Sequence, residues 1–160
     1  MSKRENDIWF AQKASQVKEG LYVYAVGILK NNEDAEDALQ NTLLNAYEHM
    51  EALRVAENFK PWIYRIMTNE CYKILNRRKY NEDIDELELA SEMKTSIEDQ
   101  ITLWEAVNKL KLDYRKVVIL YYYEGMSVKS IAKVIQINEA TVKKRLSRAR
   151  GMLKNYVVEC

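Results

Sequence analysis

Residues Met126–Lys154 read MSVKSIAKVIQINEATVKKRLSRARGMLK, and the spacing of their apolar residues decides the fold class. Val128, Ile131, Ala132 and Ile135 fall on one face of a first short helix, and Val142, Leu146, Ala149 and Leu153 on one face of a second. Gln136, Ile137 and Asn138 lie between them, the length that a helix-turn-helix connection needs. Ser127 and Asn138 stand where a side-chain oxygen accepts the orphan amide protons of each helix start, and Gly125 closes the helix before. On a wheel of about 100° per residue, Ala140, Thr141, Lys144, Ser147 and Arg148 face away from the apolar stripe. A small, hydroxylic and cationic outer face suits a DNA major groove, with Lys143 and Arg145 placed for the flanking phosphates.

The remainder of the chain extends this helical reading. Its 160 residues suffice for one ordinary domain or two small ones. A hydrophobic content of 48% with 31% charged residues describes a folded, soluble protein, and a single Pro with four Gly favours helices. No span alternates apolar and polar residues as a strand would, so an all-α fold is expected.

The formal net charge of +1 conceals a strong asymmetry. Between Met126 and Lys154, Lys129, Lys133, Lys143, Lys144, Arg145, Arg148, Arg150 and Lys154 oppose Glu139 alone, a local charge of +7. Between Asn81 and Asp99, Glu82, Asp83, Asp85, Glu86, Glu88, Glu92, Glu98 and Asp99 oppose Lys94 alone, a local charge of −7. A basic module thus stands beside an acidic tether, which has lost the apolar face of its neighbours. The tether, residues 80–98, divides an N-terminal module, 1–79, from a C-terminal one, 99–160.

The N-terminal module reads as helices as well. One or two amphipathic helices from about Asp7 to Leu29 carry Trp9, Phe10, Val17, Leu21, Tyr24, Ala25 and Ile28 inward, with Gly20 as a possible break. Asn32 is the expected cap of the next helix, whose first turn bears Glu33, Asp34 and Glu36 at the positive end of the helix dipole. Its outer face shows Asp37, Gln40, Asn41 and Glu48. The segment FKPWIYRIMTNECYKILNRRK, Phe59–Lys79, then places Pro61 in a first helical turn. Its aromatic residues Phe59, Trp62, Tyr64 and Tyr72 interleave with Arg65, Lys73, Arg77, Arg78 and Lys79, a combination that stacks bases and holds phosphates of single-stranded nucleic acid.

These stretches together resemble an extracytoplasmic-function sigma factor, the small two-domain class of promoter-specificity subunits of bacterial RNA polymerase. DAEDALQNTLLNAYEHM resembles the family's polymerase-binding helix, FKPWIYRIMTNECYKILNRRK its promoter-melting and −10 reading segment, and YRKVVILYYYEGMSVKSIAKVIQINEATVKKRLSRAR its −35 reading domain. The resemblance implies that 1–79 forms region 2 and 99–160 region 4. It assigns Asp37, Gln40 and Asn41 to the polymerase clamp helices, although the family usually has Glu where Asn41 stands. It places Phe59, Trp62 and Asn69 near the melted −10 strand, and Lys73 where many members have Asp. Arg65, Lys73, Arg77 and Arg78 add charge to that segment. In the −35 domain Gln136 stands where Gly is common in the turn, Ala140 where Gly is frequent, and Lys111 where Pro is common. Expected partners are core RNA polymerase, promoter DNA and an anti-sigma factor, which in this family is frequently membrane-bound.

The competing reading is a stand-alone helix-turn-helix transcriptional regulator, which accounts for Ser127–Lys154 but leaves the Asp37 face and Phe59–Lys79 without a role. No carboxylate cluster, Cys/His metal spacing, phosphate loop or nucleophile and base pair points to catalysis, a metal, a cofactor or a small-molecule substrate. Cys71 and Cys160 form no disulfide framework, and MSKRENDIWF lacks the apolar region of a signal peptide, so a cytoplasmic protein is expected.

Overall fold

The computed structural model describes residues 2–53, 58–81 and 102–157, with Asn81 and Val157 described through the backbone alone. The acidic tether beyond Asn81, and Cys160, lie outside the described residues. Every regular element among those described is helical, and none is long and apolar enough to cross a membrane.

Helix α1, Lys3–Leu29, starts at Ser2, whose side chain accepts from the Glu5 amide at 3.2 Å. It runs unbroken through Gly20, because one helical glycine costs only about 1 kcal/mol and the buried face of Phe10, Val17, Leu21, Tyr24, Ala25 and Ile28 outweighs it. Lys30 ends it in the left-handed region at φ 53°. Helix α2, Asn32–Glu48, is capped by Asn31, whose side chain accepts from the Asp34 amide at 2.9 Å. The cap therefore sits one residue before the expected Asn32, since Asn31 has the extended φ of −150° that a capping residue adopts. A short 3₁₀ turn, Met50–Ala52, follows it. Helix α3, Phe59–Asn81, continues two residues past the boundary drawn at 79.

These three helices share one core, in which Leu21, Tyr24, Ala35, Ala38, Thr42, Ile63, Tyr64, Met67 and Cys71 are buried. Two of its buried hydroxyls are satisfied in series. The Thr68 hydroxyl donates to the Tyr64 carbonyl at 2.8 Å, which leaves its oxygen to accept from Tyr24 at 2.8 Å.

The C-terminal half contains α4, Leu103–Lys109; α5, Leu112–Val118; α6, Val128–Ile135; and α7, Glu139–Val157. Helix α5 loosens into a π turn over Ile119–Tyr123, and Gly125, at φ +66°, reverses the chain toward α6. The helix-turn-helix forms as its spacing predicts. Ser127 accepts from the Ser130 amide at 3.1 Å, and Asn138 accepts from the Thr141 amide at 2.8 Å. Gln136 takes the left-handed conformation at φ 58°, ψ 48°, a cost that glycine would avoid. Helix α6 buries Ile131 and Val134, while Ala132 turns partly toward α3. Helix α7 buries Val142, Leu146 and Ala149.

The two halves pack directly on each other, with α5 against α1 and α6 against α3. Several of the groups joining them are polar. Lys30 Nζ donates to the Asn108 carbonyl at 2.7 Å, for example, and burial beside Arg115 lowers the pKa of that amine.

Candidate nucleic-acid and polymerase interfaces

Three exposed faces carry the residues singled out from the sequence, each on a different helix. On α2, Asp37, Gln40 and Asn41 are exposed and lie on one stripe, because their spacing returns to the same side of a helix. Leu44 extends this stripe by one turn and is 61% exposed. Sequence reading missed it because Leu44 is adjacent to buried Thr42 and half-buried Leu43 and breaks no pattern. A groove of about 620 Å³ between α1 and α2, lined by Tyr22, Leu39, Gln40 and Leu43 among others, borders the stripe.

On α3, Trp62, Arg65, Asn69, Lys73 and Arg77 recur at intervals of three or four and form an outward stripe. Arg65, Asn69, Lys73 and Arg77 are exposed and Trp62 is half-buried. Lys73 lies 3.1 Å from the buried Glu70 carboxylate, so part of its charge is already neutralised. Two other expected contacts belong elsewhere. Phe59 is 3% exposed and packs edge-on against Trp9, with ring centroids 5.6 Å apart, so in this state it supports Trp62 rather than meeting a base. Arg78 falls on the opposite side of α3, where it pairs with Asp34 and donates to the Leu29 carbonyl at 2.9 Å. It fastens α3 to the junction of α1 and α2.

Tyr64 and Tyr72, which interleave with the basic residues in sequence, also face away from the stripe. The Tyr64 hydroxyl donates to Glu124 Oε2 at 2.6 Å, and burial, reinforced by that carboxylate, pushes its pKa up. Tyr72 bonds Lys116, whose ammonium lies 4.7 Å from the centre of the tyrosine ring.

On α7, Ala140, Lys143, Lys144, Ser147 and Arg148 are exposed. Thr141 is half-buried and its hydroxyl donates to Asn138 Oδ1 at 2.7 Å, which places it in the helix cap. Arg145 is also half-buried and makes a long ion pair, 4.0 Å, with Asp113. Arg150 is withdrawn from the cationic face, since its guanidinium donates to the Tyr122 hydroxyl at 2.5 Å and lies over the Tyr121 and Tyr122 rings. What remains is a compact donor surface of Lys143, Lys144, Ser147 and Arg148, with the small Ala140 leaving room for close approach. Among the described residues no group of three His, Cys, Asp or Glu side chains is placed to hold a metal.

Both halves of the chain match known proteins. The family model for sigma-70 region 2 matches residues 15–80, and that for sigma-70 region 4 matches residues 100–153. The RNA polymerase sigma factor SigV of Bacillus subtilis (strain 168) is 30% identical over 139 residues, covering 86% of this chain and 84% of its own. The ECF RNA polymerase sigma factor SigW of the same organism is 26% identical, covering 92% and 88%. Among solved structures, the sigma factor RpoE in complex with the anti-sigma factor NepR from Bartonella quintana matches with a TM-score of 0.74 at 26% identity, over 92% of this chain and 95% of that one. CnrH in complex with the cytosolic domain of CnrY has the same fold, with a TM-score of 0.66 at 24% identity over 91% and 85% of the two chains.

Proposed function

Because the chain belongs to the extracytoplasmic-function sigma factors, which direct RNA polymerase in transcription initiation, we propose a division of labour among its three exposed faces. Asp37, Gln40 and Asn41 on α2, with Leu44, join core polymerase. Ala140, Lys144, Ser147 and Arg148 on α7 read the −35 major groove, while Lys143 and Arg145 hold adjacent phosphates. Trp62, Arg65, Asn69, Lys73 and Arg77 on α3 capture unstacked −10 bases. Phe59 and Arg78 support this face from behind. The single observation that carries the reading is the outward turn of all three stripes, two on α2 and α3 within the part matched by region 2 and one on α7 within the part matched by region 4.

The energetics need no nucleotide hydrolysis. Exposing a base costs a few kcal/mol, and stacking on an aromatic side chain returns roughly 1–3 kcal/mol per base. The −35 and polymerase contacts bring the strand to α3 at high effective concentration, so capture drives melting. The acidic tether separates region 2, residues 1–79, from region 4, residues 99–160, and the −7 charge of the Asn81–Asp99 stretch suits a path through channels that otherwise hold nucleic acid. An anti-sigma factor that covers the α2 stripe is the expected inhibitor, and the chain acts on the cytoplasmic side, where polymerase is.

Mixing the purified chain with bacterial core polymerase tests the assignment. A complex containing one copy of the chain, with promoter-dependent transcription, is expected. Failure to bind core, together with dimeric binding to duplex DNA, would establish the stand-alone regulator instead.

A further inference from the structure

The cations of α7 are not equivalent. Lys143, Lys144 and Arg148 stand in solvent, whereas Arg150 is held over the Tyr121 and Tyr122 rings. Arg145 is intermediate. Its side chain is 24% exposed, and its Nη2 lies 4.0 Å from Oδ2 of Asp113, in the first turn of α5. The other oxygen of that carboxylate, Oδ1, lies 4.0 Å from the Lys116 ammonium. One carboxylate thus serves two cations, one on its own helix and one on the helix assigned to the −35 groove.

The exposures set an order among the three groups. Asp113 is 62% exposed, against 24% for Arg145 and 6% for Lys116, so the carboxylate is the outermost. A phosphate that approaches Arg145 from solvent therefore meets a like charge beside it. Lys116 neutralises Asp113 only in part, because its ammonium also bonds the Tyr72 hydroxyl and lies 4.7 Å from the centre of that ring on α3. A carboxylate in a first helical turn is favoured by the helix dipole, and a buried lysine needs a counter-charge. Both roles account for an acid at this end of α5, and neither requires Arg145.

The separation decides what Asp113 does to Arg145. A carboxylate at about 2.7–2.9 Å accepts from the guanidinium and fixes its plane, which would aim it at a phosphate. At 4.0 Å no hydrogen bond forms, the guanidinium keeps its freedom to turn, and only the charge acts. That charge competes with a phosphate and supplies no orientation in return.

We propose that Asp113 is a positioning residue of the −35 contact and works as a restraint: its carboxylate is the counter-charge within the chain that Arg145 leaves when it takes a DNA phosphate. This rests on the assignment of Arg145 to a phosphate. The restraint lowers affinity for every duplex alike, because a phosphate contact carries no sequence information.

The test compares the full chain carrying Asp113→Asn, Arg145→Ala, or both. Fluorescence anisotropy on specific and scrambled duplexes at several salt concentrations reads binding, and thermal melting reads the fold. Asp113→Asn should tighten both duplexes about two- to fivefold, the range of an exposed ion pair, and steepen the salt dependence by up to about one unit of slope. Arg145→Ala should weaken both duplexes and flatten the slope by about one unit. In the Arg145→Ala background, Asp113→Asn should lose at least half of its effect, since the cycle isolates the pair from the general change in charge. Tightening of equal size with and without Arg145 is diffuse repulsion alone and overturns the pairing. Weaker binding by Asp113→Asn overturns the restraint in favour of an orienting contact. Unchanged affinity, whether or not the melting temperature falls, leaves Asp113 a structural role only and overturns it too. If Arg145→Ala alters neither affinity nor slope, the phosphate assignment falls and the inference with it.

Discussion

Truncating Lys144 or Arg148 to alanine separates recognition from folding more cleanly than any other change to this chain. Both side chains are exposed on α7, and neither has a hydrogen-bond or ion-pair partner among the described residues. Their loss should therefore alter stability by no more than about 0.5 kcal/mol. If each reads a base edge, its removal costs roughly 1–3 kcal/mol of −35 affinity, and at 1.4 kcal/mol per decade this is about 5- to 150-fold. Lys143→Ala should behave differently, weakening all duplexes alike and flattening the salt dependence by about one unit of slope. Asn138→Ala supplies the contrast, since it deletes the acceptor for the Thr141 amide and hydroxyl and should cost about 0.5–2 kcal/mol of stability. Fluorescence anisotropy on specific and scrambled duplexes at two salt concentrations, paired with thermal melting, distinguishes all four. Unchanged affinity and specificity for both Lys144→Ala and Arg148→Ala would show that α7 presents another face to DNA.

On α2, Asp37→Arg and Leu44→Asp should each leave melting unchanged and weaken competition for core polymerase at least about tenfold, which is the loss expected from roughly 1.4 kcal/mol at a docking contact. An unaltered competition curve for both would remove the stripe from the interface. Arg78→Ala should lower stability by about 1–2 kcal/mol, because it frees Asp34 and the last carbonyl of α1 together. A loss confined to DNA binding would return Arg78 to the −10 face. Burial pushes the Cys71 thiol up to about 12, so at pH 8 only about one molecule in ten thousand carries the thiolate. A Cys160→Ser variant should resist alkylation until unfolded and become more reactive only as pH approaches that value. Rapid labelling at pH 8 would contradict the packing around α3.

The parts of the molecule that were legible in the sequence are those written in local periodicity. Val142, Leu146 and Ala149 declare the inner face of α7, and Ser127, Gly125 and Asn138 punctuate its neighbours through bonds spanning a few residues. The residues whose placement departs from the expectation owe it to distant partners. Phe59 looks like a base-stacking aromatic until Trp9 and Phe10, some fifty residues earlier, close over it. Arg78 looks like a phosphate contact, yet its last-turn position on the far side of α3 carries it to Asp34. Gly20 reads locally as a breaker of α1, whereas the space it leaves is filled by Glu124 and Tyr64. Tyr64 and Arg115 likewise join residues about sixty and ninety positions apart, and no short-range pattern encodes such a pairing.

Transcription reconstituted from the purified chain, bacterial core polymerase and a library of randomised promoters tests the central claim most directly. The account predicts transcripts that require the chain and enrich a two-part sequence, with the −35 element lost in Lys144→Ala and Arg148→Ala and the −10 element in Trp62→Ala. Transcription indifferent to promoter sequence, or none while the chain binds duplex DNA alone, would contradict it.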